Sequence, residues 1–138
     1  MREILFRAKR KDNDEWVEGS LVKIEENCFR IATQEDVAYA YPDKTTYAAW
    51  MYDVCEDTIC QYTEIKDKNG NKIFEGDILE AKEPFAPTVP FLVGYNYHSL
   101  SFVGYYEDYK KAFALNEDLL SCCEVIGNIF DRQETETV

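Results

Sequence analysis

Histidine is nearly missing from this chain: His98 is the single one in 138 residues. It falls in a turn-like stretch with no partner at a recognisable spacing, so a solvated or hydrogen-bonded turn residue is expected there rather than a base. Paired cysteine knuckles are missing too. The five cysteines are Cys28, Cys55, Cys60, Cys122 and Cys123; Cys55 and Cys60 are separated by four residues and the last two are adjacent. Neither spacing suits tetrahedral zinc, and an odd number of cysteines reads as free thiols in a reducing compartment. There is no glycine-rich phosphate loop and no nucleophile elbow. The sequence therefore assigns no catalytic residue, no metal ligand and no cofactor.

Basic residues are scarce. Fifteen Lys and Arg face 27 Asp and Glu, a net charge of −12, which works against direct binding of nucleic acid backbones. The imbalance is uneven: residues 1–11 hold Arg2, Arg7, Lys9, Arg10 and Lys11 against Glu3 alone and carry +4, leaving −16 on the remainder. Such a body suits a basic surface, whether its own N-terminal strand, a neighbouring subunit or a DNA-binding protein. Long apolar runs are absent, and no stretch approaches the ~20 residues that cross a bilayer. The opening MREILFRAKRKD has no apolar h-region. A cytoplasmic protein without a membrane partner is the expectation.

Aromatic residues are plentiful at 14%, with ten Tyr, eight Phe and two Trp, types that favour pleated, half-buried surfaces. Along Arg2 to Lys9 the residues Ile4, Phe6 and Ala8 share one face, and Leu5, Arg7 and Lys9 the other, which predicts a strand. Trp16 to Ile24 predicts a second, with a bulge at Gly19. Glu25-Glu26-Asn27 reads as a turn and Cys28 to Thr33 as a third strand. Tyr39, Tyr41, Tyr47, Trp50 and Tyr52, scattered around Pro42, do not decide between strand and loop.

Further on, Asn69-Gly70 between two strand-like stretches predicts a type I′ hairpin turn. Gly76-Asp77 predicts a bend or bulge. Pro84, Pro87 and Pro90 make a loop barred from a central sheet. Phe91 to Tyr97 and Leu100 to Tyr106 form a second hairpin around His98-Ser99, and Ala112 to Leu115 adds a strand. Asn116 caps at most a short helical turn near 116–120, and Cys123 to Phe130 closes the fold. The class is mainly β: antiparallel hairpins forming two small barrel-like modules, at 1–57 and 58–131, with a frayed acidic tail at 132–138.

Three segments in this order, MREILFRAK, QYTEIKDKNGNKIFEGDIL and EVIGNIF, resemble the YopX family over nearly the whole chain. The central one is the specific one, through Tyr62-Thr63, Asp67, Asn69-Gly70 and Glu75-Gly76-Asp77. Glu64 departs from the pattern, standing where family members often have Gly. The end after Phe130 also lacks the usual Asn-Pro-Glu-Leu-Leu-like finish. The resemblance implies a mostly β protein with barrel-like parts, of uncharacterised function, found in phages and integrated prophages. It carries over no catalytic residue.

The candidate sites are few. Asp67, Asn69 and Asn71 alternate as calcium ligands do, but Lys72 and Ile78 stand where an EF-hand loop needs Gly and Glu. Asn69, Gly70 and Gly76 are read as structural turn residues. Glu75 and Asp77 flank a glycine and offer a carboxylate pair for a metal-dependent hydrolase. Tyr95, Tyr97, Tyr105, Tyr106 and Tyr109, with Phe102, make either cross-strand packing pairs or an exposed interface. Three functional expectations follow. The first is a non-enzymatic accessory protein that binds another protein or self-associates as a homo-oligomer. The second is an acidic DNA mimic that inhibits a DNA-binding protein. The third is the hydrolase.

Overall fold

A computed structural model describes residues 2–33, 51–81, 90–106 and 109–131. The uncertain stretch around Tyr39 to Trp50, the Pro84 and Pro87 loop and the tail at 132–138 lie outside these residues. The described chain is mainly β, in antiparallel sheets with one four-residue α-helix. It separates into two compact units, Met1–Gln61 and Tyr62–Val138.

In the first unit, β1 (Phe6–Lys9), β2 (Trp16–Glu25), β3 (Cys28–Ala32) and β4 (Met51–Val54) lie in the sheet order β4-β3-β2-β1. β4 resolves the ambiguity around Tyr52: it is a strand, opposite β3, with Ile31 facing Tyr52. The chain then makes a 3₁₀ turn at Glu56–Thr58. β4 also returns toward β1, where Lys11 N–H donates to the Asp53 carbonyl and Cys55 N–H to the Lys9 carbonyl, both at 2.9 Å. The unit is barrel-like in this loose sense: among the described residues the return is a single bridge, Arg10 opposite Val54, and not a full closing ladder. Its core is Ala8, Ile31 and Val54, with Phe6, Val17, Leu21, Phe29 and Ile59 packed around them.

Two expectations for this unit are corrected. Regular pairing begins at Phe6, not Arg2, and Ile4 is exposed. The bulge in β2 lies between Lys23 and Glu25, not at Gly19. Gly19 sits in regular register opposite Phe6, and its bare Cα lets the Ala32 carbonyl approach where a Cβ would collide with it.

β5 (Cys60–Lys66) gives its first residues to the first unit, with Gln61 opposite Phe6 and Cys60 opposite Arg7. Its remainder pairs with β6 (Lys72–Phe74) in the second. There β7 (Asp77–Ala81), β8 (Phe91–Asn96), β9 (Ser101–Tyr106), β10 (Lys111–Ala114) and β11 (Cys123–Asn128) form a five-stranded sheet in the order β10-β9-β8-β7-β11. A 3₁₀ turn, Ile129–Asp131, follows β11, so the closing strand ends before Phe130. α1 (Glu117–Leu120) starts where Asn116 Oδ1 accepts Leu119 N–H at 2.8 Å, an N-cap that frees the helix from an orphan donor. It delivers Leu120 to a core of Ile73, Leu79, Phe91, Val93 and Cys123. Each of the Ile, Leu, Phe and Val side chains contributes about 1.5–3 kcal/mol through burial.

Gly70 is in the left-handed region, with φ +84°. The Asn-Gly turn is nevertheless not type I′. Gly70 N–H donates to the Asp67 carbonyl at 3.0 Å, which makes Lys68 and Asn69 the central residues and leaves Gly70 in the position after a type I turn. The cause is Asp67, whose Oδ1 accepts Asn69 N–H and Asn71 N–H, both at 2.9 Å.

Glu64 has φ +75° within the irregular β5–β6 register. Left-handed backbone costs a residue with a Cβ roughly 1–2 kcal/mol, so glycine belongs there. Glu64→Gly is expected to raise stability by about 0.5–1 kcal/mol, after allowance for the looser unfolded chain. Urea titration checks this, and an equal or lower midpoint would refute it.

Candidate functional site

The β8–β9 hairpin ends in a four-residue tip, Tyr97 to Leu100. Its backbone is organised from below by Asn96, whose Oδ1 accepts His98 N–H at 2.8 Å and Ser99 N–H at 3.0 Å. Side-chain capture of following N–H groups is the ordinary use of Asn in turns. The bonds hold the tip side chains away from the sheet: Tyr97 is 81% and Leu100 71% exposed. Leu100 carries φ +55°, so this apolar residue is held outward by backbone that does not favour it. Tyr95 meets Tyr97 edge-on at 5.0 Å and Phe102 edge-on at 5.5 Å. Together they form a small aromatic block at the hairpin end.

The other tyrosines do not join this block. Strand alternation places Tyr105 on the opposite face of β9 from Phe102 and Tyr106. Its ring lies over Gly94, and its hydroxyl accepts from Asn96 Nδ2 at 3.3 Å. Tyr109, 59% exposed, stacks obliquely on Tyr105 at 5.6 Å. Tyr106 meets Phe113, a half-buried ring packed against the core, at 5.8 Å. Five tyrosines that are close along the chain are thus divided among two faces and a tip. Leu100 escaped notice in the sequence, although Leu beside a polar turn was a visible signal.

The carboxylates go elsewhere. Asp77 is 1% exposed. Its Oδ2 accepts Phe74 N–H at 2.8 Å across the Glu75–Gly76 turn, and its Oδ1 accepts from Asn128 Nδ2 at 3.1 Å. Gly76, at φ +85°, donates its N–H to the Val93 carbonyl and accepts from Ile129 N–H, both at 2.8 Å. Asp77 thus staples a turn to the end of β11. Among the described residues, no three His, Cys, Asp or Glu side chains group to hold a metal.

Asp67 is a second staple. Its Oδ2 accepts Val125 N–H at 3.0 Å and Asn71 Nδ2 at 3.4 Å. Desolvation by burial is the largest influence on its carboxyl and pushes the pKa up. The N–H donations from Val125, Asn71 and Asn69, with the Asn71 side chain, outweigh it together and hold the pKa below the usual carboxylate value. All of its oxygen capacity faces N–H groups of the fold, which answers the calcium-like spacing with hydrogen bonds.

The cysteines differ in burial. Cys123 lies in the core; burial above all, then the charges of Cys122 and Asp67, push its thiol up to about 11. It stays protonated at neutral pH and donates to the Leu119 carbonyl at 3.3 Å. Cys60 is buried, while Cys28, Cys55 and Cys122 are half-buried, and all five are free thiols.

The basic N-terminal residues find partners within their own unit. Arg7 lies over the Trp16 ring at 4.7 Å, Lys9 over the same ring at 5.5 Å, and Arg10 over Tyr52 at 4.2 Å. Arg10 also forms a two-pronged pair with Asp12, at 2.7 and 3.0 Å. No helix among the described residues is long and apolar enough to cross a membrane.

No curated protein matches the chain. The crystal structure of protein EF1440 from Enterococcus faecalis is similar, with a TM-score of 0.54 and 21% identity over 94% of each chain. At that identity the likeness is one of fold. The family model described as YopX protein matches residues 5–134, nearly the whole sequence. The chain belongs to the YopX family.

Proposed function

We propose that this chain is a non-enzymatic binding module whose aromatic hairpin tip docks on a protein, either a host partner or a second copy of the chain, in the cytoplasm of a bacterium carrying a phage or prophage. The observation that carries the reading is the tip itself: Tyr97 and Leu100 stand 81% and 71% exposed beside Tyr95 and Phe102. Tyrosine and other aromatics are enriched at protein interfaces, where a few rigid anchors supply most of the affinity. The family and the fold are compatible with this role and do not by themselves specify it.

The double variant Tyr97→Ser with Leu100→Ser tests it. Both side chains project into solvent, so stability should change by no more than about 0.5 kcal/mol per site. Capture of specific partners from host lysate, or self-association by light scattering, should weaken at least tenfold, about 1.4 kcal/mol. Unchanged capture and unchanged molar mass would remove the tip from consideration.

A second reading, an acidic DNA mimic, is favoured by the net charge of −12. It predicts a basic DNA-binding partner whose capture falls steeply with salt and is indifferent to the tip substitutions.

A further inference from the structure

Among the described residues, one edge of the five-stranded sheet is closed by a turn, through a backbone N–H and a carboxylate, rather than by a strand. β11 pairs with β7 on one side. On the other, Lys68 N–H donates to the Cys123 carbonyl at 3.0 Å, and Val125 N–H donates to Asp67 Oδ2 at 3.0 Å. An antiparallel strand added at this edge would use these same two groups, donating to Cys123 and accepting from Val125. The Asp67 carboxylate stands where that strand's carbonyl would be. It is fixed there by Asn69 and Asn71, and Asn69 Nδ2 is tied in turn to Glu124 Oε1 at 3.2 Å.

We propose that the Asp67 turn is an edge latch, which occupies the pairing positions of β11 and keeps that strand from joining β11 of a second copy. The strand beneath it needs such a guard. Glu124-Val125-Ile126 ends in two adjacent β-branched residues, and Ile126 is 47% exposed at the bulge. Unpaired edges of this composition are templates for self-pairing. Antiparallel pairing centred on Val125 would set Glu124 opposite Ile126 of the second copy rather than opposite another glutamate, avoiding like-charge contact.

Two substitutions open the latch while sparing the turn. Asp67→Asn keeps one oxygen for Asn69 and Asn71 but turns an NH2 toward Val125 N–H. Lys68→Pro removes the donor to Cys123 at a turn position where proline is favoured. Both are made in the Tyr97→Ser, Leu100→Ser background, so that association through the tip does not intrude. The expected result is a native-like circular dichroism spectrum with a molar mass that rises from one chain toward two with concentration, together with slower hydrogen exchange at the Val125 amide in the dimer. If both variants fold and keep the parent's molar mass at every concentration, the latch is refuted. If neither folds, these bonds serve folding alone and the latch is equally refuted.

Discussion

Asp77→Ala is expected to lower the stability of the second unit by about 2–4 kcal/mol, since two buried donors lose their acceptor and each stranded group costs roughly 1–3 kcal/mol. Those donors are Phe74 N–H and Asn128 Nδ2, at 2.8 and 3.1 Å. Denaturant titration should show a lower midpoint with an unchanged slope. Asp77→Asn, which keeps one acceptor, should lose less. The contrast bears on the hydrolase reading, because a carboxylate maintained for chemistry is commonly a burden on the fold, and its removal leaves stability level or raised. A stable Asp77→Ala protein would therefore return Asp77 to the list of reactive groups.

Phe91→Ala is expected to cost about 3–5 kcal/mol, the usual range for deleting a fully buried ring. Phe91 stands opposite Leu79 in the β7–β8 register and meets Phe113 edge-on at 4.9 Å. Gly104 opens the space both rings use: a Cβ there would stand 2.6 Å from Phe113 and 2.9 Å from Phe91. With backbone on one side and a ring on the other, the void has little room to collapse. Calorimetry should record a fall in Tm of roughly 10–20 °C, and a loss under about 1 kcal/mol would show that Phe113 slides into the space.

The mainly β fold was legible because alternation and turn chemistry are local. Phe6 and Ala8 pointed one way, Asn27 marked a turn that indeed takes φ +65°, and Asn116 announced a short helix that it caps. The positive φ of Glu64 fits the glycine that the family resemblance implies at that position. What could not be read depended on partners far along the chain. Asp67 looked like a cation ligand by spacing because nothing local shows that Val125, 58 residues away, would donate to it. The same holds for Asp77 and Asn128. The turn type at Asn69-Gly70 was misread for a related cause: the dipeptide favours one geometry, but the Asp67 carboxylate captures two N–H groups and enforces another. The tyrosines were found as residues but not as a surface, since pairing assigns their faces.

The Asn96 carboxamide has a consequence for how this hairpin can change over generations. It holds the turn by bonds to the backbone of His98 and Ser99, to which Tyr97 adds an edge contact with Tyr95 and Ser99 a hydroxyl contact with Ser101 at 2.9 Å. Binding loops diversify where a rigid scaffold carries them. Lineages of this fold can rewrite those positions to meet a changing partner while keeping Asn96 as the clasp, and a drifting tip above a fixed asparagine is the pattern that such a contest would leave.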